Sequence, residues 1–265
     1  MAHSAYLLDL REPVRYLEAW DLQRTLAAAV SQATIPDTVV LLEHPPVITL
    51  GRTTGEGELH VPEHADVEIV ETNRGGKSTY HGPGQLVCYP ILDLRRHGKD
   101  VKKYVRDLEE AVIRTVAPLG VTATRLDGLT GVWLERPQRY AFNLAEDRRL
   151  PSDSPPQERQ RPSLQRRKLA SIGVHISRWV TTHGYALNVD LDPAPFTSWI
   201  TACGLEDAHF TTIARELGRP VSVDDVRPLA ANALADVFGL ELEEPSGDDH
   251  ALWPQPVQAT LAAEA

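Results

Sequence analysis

Cysteine is scarce in this chain: Cys88 and Cys203 are the only two among 265 residues. A disulfide-stapled scaffold is not needed at this length, because a chain of this size buries a substantial core unaided. Long apolar runs are also missing. No uncharged stretch approaches the roughly 20 residues that a membrane-spanning helix needs. Residues 1–10 lack a basic segment followed by a long apolar run, so no secretory signal is expected. Positive charge is in deficit, with 27 Lys and Arg against 37 Asp and Glu and a net charge of −10. That balance argues against general nucleic-acid binding, which needs a basic surface. Arg95, Arg96, Lys99, Lys102, Lys103 and Arg106 form either a local basic face or a solvated helix start. His44, His81 and His183 show no tight metal-binding spacing, so no zinc site is expected.

Two nucleotide signatures are absent as well. The dinucleotide Gly-x-Gly-x-x-Gly does not occur ahead of a helix. Gly76-Lys77-Ser78 matches the end of the phosphate-binding Gly-rich pattern, but Glu71 stands where its first glycine belongs, and a strand follows.

What the chain does hold is an unusual stretch, Arg-Gly-Gly-Lys-Ser-Thr-Tyr-His-Gly-Pro-Gly-Gln over residues 74–85, running into a largely apolar strand. Gly75, Gly76, Gly82 and Gly84 permit close backbone approach to a ligand. Arg74 and Lys77 can hold a polar substrate group or merely decorate the surface. His81, inside this stretch, and His183, before Gly184, can relay a proton, orient an acceptor or cap a turn.

Elsewhere the patterning is mixed. Residues 14–31 and 100–116 carry helical periodicity, and further helices are expected near 209–217 and 223–238, with Ser222 as a cap. Short strands are expected at 6–8, 39–42, 47–50, 67–70, 85–92, 121–125, 128–135, 169–176 and 185–189. Strand pairs interleaved with separated helices imply an α/β (α+β) domain of mixed sheets packed by helices, without repeats. One domain is expected over 1–240. Residues 144–167, rich in Pro, Ser, Gln and Arg, read as a flexible insertion, and 241–265 as a loose tail.

Cys203 precedes a glycine at the end of an apolar segment, where it is either a nucleophile or a small buried hydrophobe. Cys88, flanked by Val87 and Tyr89 within a strand, reads as core. Lys168 enters the strand Leu-Ala-Ser-Ile-Gly-Val at 169–174, where it either closes a loop toward solvent or enters a pocket. In a pocket, desolvation would fit it to act as a base.

Taken in order, these segments resemble one family. The stretch at 74–85, Lys-Leu-Ala-Ser-Ile-Gly-Val at 168–174, Thr-His-Gly-Tyr-Ala-Leu-Asn at 182–188 and Ala-Cys-Gly-Leu at 202–205 are similar to successive motifs of the lipoyl (octanoyl) transferases. Glu-His-Pro-Pro-Val-Ile-Thr-Leu-Gly at 43–51 and Gly-Leu-Thr-Gly-Val-Trp at 128–133 also fit, and the resemblance spans about residues 5–238. It implies the biotin/lipoate protein ligase-like catalytic fold. The implied activity is octanoyl transfer from octanoyl-acyl carrier protein to the lysine of lipoyl domains. Those acceptors belong to 2-oxoacid dehydrogenase complexes and to the glycine cleavage H protein. Cys203 becomes the nucleophile that carries the acyl thioester, and Lys168 its base and thiolate partner. Substrate binding falls to Arg74, Gly75, Gly76, Lys77, Ser78, Thr79, Tyr80, His81 and Gly82, to Ile172, Gly173 and Val174, and to His183, Gly184, Tyr185 and Ala186.

No cofactor, metal, nucleic acid or membrane is implied, and a cytoplasmic monomer is expected. Leu50, Tyr80, Val132 and Ile172 are candidate linings of an acyl tunnel. Two departures stand out: the insertion before Lys168, and Thr211-Thr212-Ile213 where the family more often has Thr-Ser-Leu. A nucleotide-dependent lipoate ligase and a silent lipoyl-domain binding module are the alternatives.

Overall fold

The computed structural model describes residues 3–137, 164–201 and 209–245. A mixed sheet forms the spine. Its strands are β1 (His3–Asp9), β2 (Asp37–Leu42), β6 (Gln85–Ile91), β7 (Thr124–Leu126), β8 (Leu129–Pro137), β9 (Leu164–Ser177), β10 (Val180–Asn188), β11 (His209–Phe210) and β12 (Leu240–Glu243). They run in the order β12-β1-β2-β6-β10-β9-β8-β7, with β11 paired to β9. The β12-β1-β2 end is parallel and the path from β2 to β7 is antiparallel. A smaller sheet stacks β4 (Glu68–Glu71), β3 (Val47–Leu50) and β5 (Thr79–His81).

Both faces of the main sheet are covered, so β6 and β10 are buried along their whole length. On one face, Ala19, Leu22, Leu26 and Val30 of α1 (Tyr16–Ser31) meet Val40, Val87, Tyr89 and Ala186. On the other, α2 (Val101–Val116) and α5 (Val223–Phe238) bring Leu108, Val112, Val226 and Leu234 against Leu86, Cys88, Tyr185 and Leu187. The 3.6-residue apolar stripes of α1 and α2 account for this burial. Asp100 caps α2 by accepting from the Lys103 N–H at 3.0 Å. Ser222 and Asp225 form a reciprocal capping box on α5, which ends at Gly239 in the left-handed region. Two short helices, α3 (Ala194–Ser198) and α4 (Ile213–Leu217), complete the α-helices of the described residues. Among the described residues no helix is long and apolar enough to cross a membrane.

The structure corrects several boundaries. Strand β9 begins at Leu164, so residues 164–167 are strand rather than insertion; 144–163 lie outside the described residues. Glu241–Glu243 belong to β12, paired with β1, so the tail expected from 241 does not start there. The basic cluster at 95–106 is largely matched to acids: Arg95 to Asp93, Arg96 to Asp37 and Asp93, Lys103 to Asp107 and Arg106 to Glu109.

Candidate active site

The pocket begins with small side chains. On the α1 side of the sheet, Ser171 and Gly173 of β9 lie opposite Ala186 and Gly184 of β10. With Val87 and Tyr89 of β6 they floor a trough of about 300 Å³. Its roof is the Gly-rich segment, which docks backbone against backbone: the Gly75 N–H donates to the Val174 carbonyl at 3.0 Å. Gly173 leaves room for it: a Cβ there would press on the roof, 3.0 Å from the Gly75 carbonyl oxygen and 3.2 Å from Arg74 Cδ.

Lys168 stands at one end, in register with Trp133 of β8 and buried, its ammonium 5.1 Å from the indole centroid. A β-bulge makes this possible. Val132 pairs with Ala170 and Trp133 with Lys168, leaving Leu169 as the extra residue. Gly131 carries a φ of 115°, and a Cβ on it would approach Lys168 Cε to 2.8 Å. Its N–H donates to Glu109 Oε1 at 3.1 Å. Glu109 is a buried carboxylate on α2, balanced by Arg106 at 2.8 Å and Arg125 at 3.4 Å. The other edge of Lys168 is held by β11, where the Thr211 N–H donates to the Lys168 carbonyl at 3.0 Å. Thr211-Thr212-Ile213 is therefore accommodated without loss: Thr212 caps α4 through Arg215 N, as a serine hydroxyl could, and Ile213 is core.

This geometry predicts the behaviour of two glycines. Gly131→Ala and Gly128→Ala both place a side chain at positive φ, a strain of about 1–2 kcal/mol. Only the first also crowds its neighbours on β9, the Ala170 carbonyl oxygen at 2.6 Å and Lys168 Cε at 2.8 Å, since nothing lies within 4 Å of a Cβ at Gly128. Both variants should unfold at lower temperature, but acyl transfer should fall more than about tenfold further in Gly131→Ala. Equal rates in the two would refute the dependence of transfer on the Gly131 bulge that seats the lysine.

At the other end the pocket is polar, with histidine and tyrosine rings gathered beside the buried Arg74 guanidinium. His183 is buried at a φ of 58° within β10. Its Nε2–H donates to Asn73 Oδ1 at 2.8 Å, and Nδ1 accepts from the Tyr16 hydroxyl at 3.3 Å. Burial, with Arg74 and His175 nearby, pulls its pKa down to about 3, and burial pushes the Tyr16 phenol up to about 12. His44 donates from Nδ1 to the Val14 carbonyl at 2.6 Å and accepts from the Tyr89 hydroxyl at 2.7 Å; burial lowers it to about 4. His81 is depressed well below the usual histidine range, chiefly by burial and then by His44 and Arg74.

His81 is a member of a hydrogen-bonded chain. The Arg74 guanidinium donates to Thr49 Oγ1 at 2.8 and 3.1 Å, and the Thr49 hydroxyl lies 3.4 Å from His81 Nε2. His81 Nδ1–H donates to Gln85 Oε1 at 2.7 Å, and Gln85 Nε2 to Asn188 Oδ1 at 3.0 Å. Asn188 Nδ2 then donates to the Thr211 carbonyl at 3.1 Å. The network ties the roof to the strand that braces Lys168.

The pocket thus gathers Arg74, Gly76, Lys77, Ser78, Thr79, His81, Lys168, Ile172, Gly173, His183, Gly184, Tyr185 and Ala186. Arg74 spends its donors on Thr49 and on the Gly75 and Lys77 carbonyls, so it shapes the roof. Lys77 pairs with Glu58. Gly75 and Val174 form the docking contact and do not line the pocket. Tyr80, with Gly82 packed on its hydroxyl, belongs to a separate cluster with Phe196 and Trp199. Of the four candidate tunnel residues only Ile172 lines the pocket. Leu50 packs with the Tyr80 cluster, and Val132 faces the α2 side. Cys203 lies outside the described residues. Cys88 is a free, wholly buried thiol whose pKa burial pushes up, consistent with core.

Tyr16, Tyr89, Trp133, Ser171 and Phe210 are lining residues that sequence reasoning did not single out. Glu109 could have been found, since it interrupts the apolar stripe of α2 beside Leu108 and Val112. Among the described residues no cluster of three His, Cys, Asp or Glu could hold a metal ion.

Residues 15–235 match the lipoyl protein ligase A/B catalytic domain. The chain is 43% identical over 242 residues to an octanoyltransferase of Streptomyces coelicolor, covering 85% of this chain and 89% of that one. It is 44% identical over 229 residues to an octanoyltransferase of Mycobacterium tuberculosis, covering 86% and 85%. A bi-partite lipoate protein ligase from Thermoplasma acidophilum shares the fold, with a TM-score of 0.64 and 15% identity across 98% of this chain and 91% of that one. The expected mixed α/β architecture of the biotin/lipoate ligase type is borne out, and the extent of these matches shows that this chain belongs to the octanoyltransferases of the lipoyl protein ligase A/B catalytic-domain family.

Proposed function

We propose that this enzyme moves an octanoyl group from octanoyl-acyl carrier protein, through a thioester on Cys203, to the specific lysine of lipoyl domains and of the glycine cleavage H protein. The observation that carries the reading is Lys168: a buried ammonium at the end of a trough with a Gly-rich roof and a floor of small residues. Cys203 stands six positions before His209, whose strand pairs with β9 at Arg167 and Lys168.

The chemistry proceeds in two acyl steps. A lysine ammonium beside a cysteine favours the thiolate. The Cys203 thiolate attacks the donor carbonyl, the tetrahedral oxyanion collapses, and the phosphopantetheine thiolate leaves, taking the Lys168 ammonium proton and so leaving Lys168 a neutral amine. Thiol-for-thiol exchange is nearly isoenergetic, so no nucleotide is consumed. The acceptor lysine amine then attacks the acyl-cysteine, Lys168 takes up the amine proton, and the Cys203 thiolate departs. An amide replaces a thioester, which drives transfer one way. Burying the acyl methylenes in the trough contributes about 0.8 kcal/mol each.

Incubation with octanoyl-acyl carrier protein and no ATP should add one octanoyl mass. The adduct should be labile to hydroxylamine, map to Cys203 and be absent from Cys203→Ala. Lipoyl domain added afterwards should take up the group on lysine. Octanoylation seen only with ATP and free octanoate would identify a ligase instead.

A further inference from the structure

The polar end of the pocket is a thin partition. On its inner side His183 and Tyr16 line the trough; on its outer side Trp20, Asn73 and Thr182 line a second cavity of about 350 Å³. The His183 imidazole spans the gap, reaching Tyr16 of α1 from one nitrogen and the exposed Asn73 from the other. Trp20, one helical turn beyond Tyr16, lies 5.9 Å from the same ring. The strand that carries the ring is held from behind, because the His183 main-chain N–H donates to Gln23 Oε1 at 2.6 Å.

Position along the sheet gives the partition its meaning. His183 pairs with Val174, six residues along β9 from Lys168. At about 3.3 Å per residue the two ends are about 20 Å apart between backbones. Lys168 and His183 both line the trough that runs between them. The space between them suits a chain of medium length with its carbonyl at the lysine and its methyl end at the histidine.

We infer that the His183–Asn73 pair is the end stop of the acyl pocket, setting the longest chain the enzyme transfers by walling the trough off from the outer cavity. This rests on the trough being the acyl site. The backbone supports a sharp test: His183 holds a φ of 58°, which glycine adopts freely, and its Gln23 contact is made by the main chain, which glycine keeps. His183→Gly therefore removes the stop without asking the strand to rebuild. Asn73→Ala keeps the imidazole but removes its outer tether.

The test compares octanoyl with dodecanoyl and tetradecanoyl transfer from loaded acyl carrier protein to a lipoyl domain. The ratio of long- to medium-chain transfer should rise about tenfold or more in His183→Gly, and less in Asn73→Ala; a pocket that gains or loses methylene-sized space discriminates on that scale. A second change, Ala28→Trp, plugs the outer cavity from its exposed rim and should bring the ratio back. General loosening of the protein would not be reversed by a plug on the far side. Ser171→Leu, which blocks the trough midway, separates the two ways of failing. If Ser171→Leu leaves octanoyl transfer intact, the trough is not the acyl site. If it stops transfer while His183→Gly leaves the ratio unchanged, the trough is right and the stop is wrong. Should His183→Gly fail to fold, an unchanged ratio in Asn73→Ala together with His183→Ala overturns the inference.

Discussion

Replacing Lys168 with methionine should lower octanoyl transfer by about 10³-fold, the usual worth of a positioned acid–base group, while leaving the fold intact. Methionine has nearly the length of lysine and can lie over the Trp133 ring as the ammonium does. The substitution removes a cation–π interaction worth about 0.5–2 kcal/mol, and the variant no longer holds a charge out of water. Thermal unfolding should therefore shift by only a few degrees. Lys168→Arg divides the lysine's two duties. Arginine keeps a positive charge but does not give up its proton in a protein. Alkylation of Cys203 by iodoacetamide, which reports the thiolate, should persist in Lys168→Arg and fall in Lys168→Met. Transfer to the acceptor amine, which needs a proton taken up, should be lost in both. Wild-type transfer in Lys168→Met would end the proposed role.

The second large effect is on stability, between pH 6.5 and about 3. Three buried histidines have folded-state pKa values pulled down, to about 4 for His44 and about 3 for His183, with His81 also well below its usual range. Below pH 6.5 the unfolded chain binds protons at these histidines and the folded protein does not. Stability thus rises with pH across this window, and is lost as pH falls toward the folded values. Each histidine adds a slope of up to about 1.4 kcal/mol per pH unit, and His44 alone accounts for about 3 kcal/mol by pH 4. Urea unfolding at half-unit pH steps should show this decline beginning above pH 5, before carboxylates titrate. Stability unchanged from pH 7 to pH 5 would mean that these rings are not buried as neutral groups.

The sequence made the central framework legible because apolar period and turn residues agree there. Residues 100–116 and 223–238 became α2, with Asp100 as its cap, and α5, with the expected Ser222 cap, and the strands at 39–42 and 85–92 became β2 and β6. Short elements escaped. Strand β5 sits inside the Gly-rich segment, and α3 is only five residues long, so neither spans a full hydrophobic period. Strand β9 begins in Leu-Gln-Arg-Arg, whose polarity reads as loop; β8 pairs with all four residues and β11 joins at Arg167, pairing that composition does not advertise. At the site, His81 and His183 were visible beside glycines, and Lys168 at the head of a strand of small and apolar residues. The duties of Arg74 and Glu109 were not. Both act through hydrogen bonds to backbone far away in sequence, Arg74 to Thr49 and Glu109 to Gly131, and a one-dimensional pattern does not encode such closures.

The chain running from Arg74 to Thr211 has one further property, that of proton order. A guanidinium only donates and a carbonyl only accepts, so the two ends pin the sense of every link between them. Thr49, His81, Gln85 and Asn188 must each accept from one side and donate to the other. Unlike a ring of waters, which can circulate its hydrogens either way, this path has a single allowed arrangement. His81 is held as one tautomer, and both amides have one orientation. A carboxylate at Gln85 or Asn188 would match the shape yet break the sequence, since it cannot pass a hydrogen onward. The amides there serve as one-way couplings, and the imidazole, set between the Thr49 hydroxyl and the first of them, has both ring nitrogens engaged.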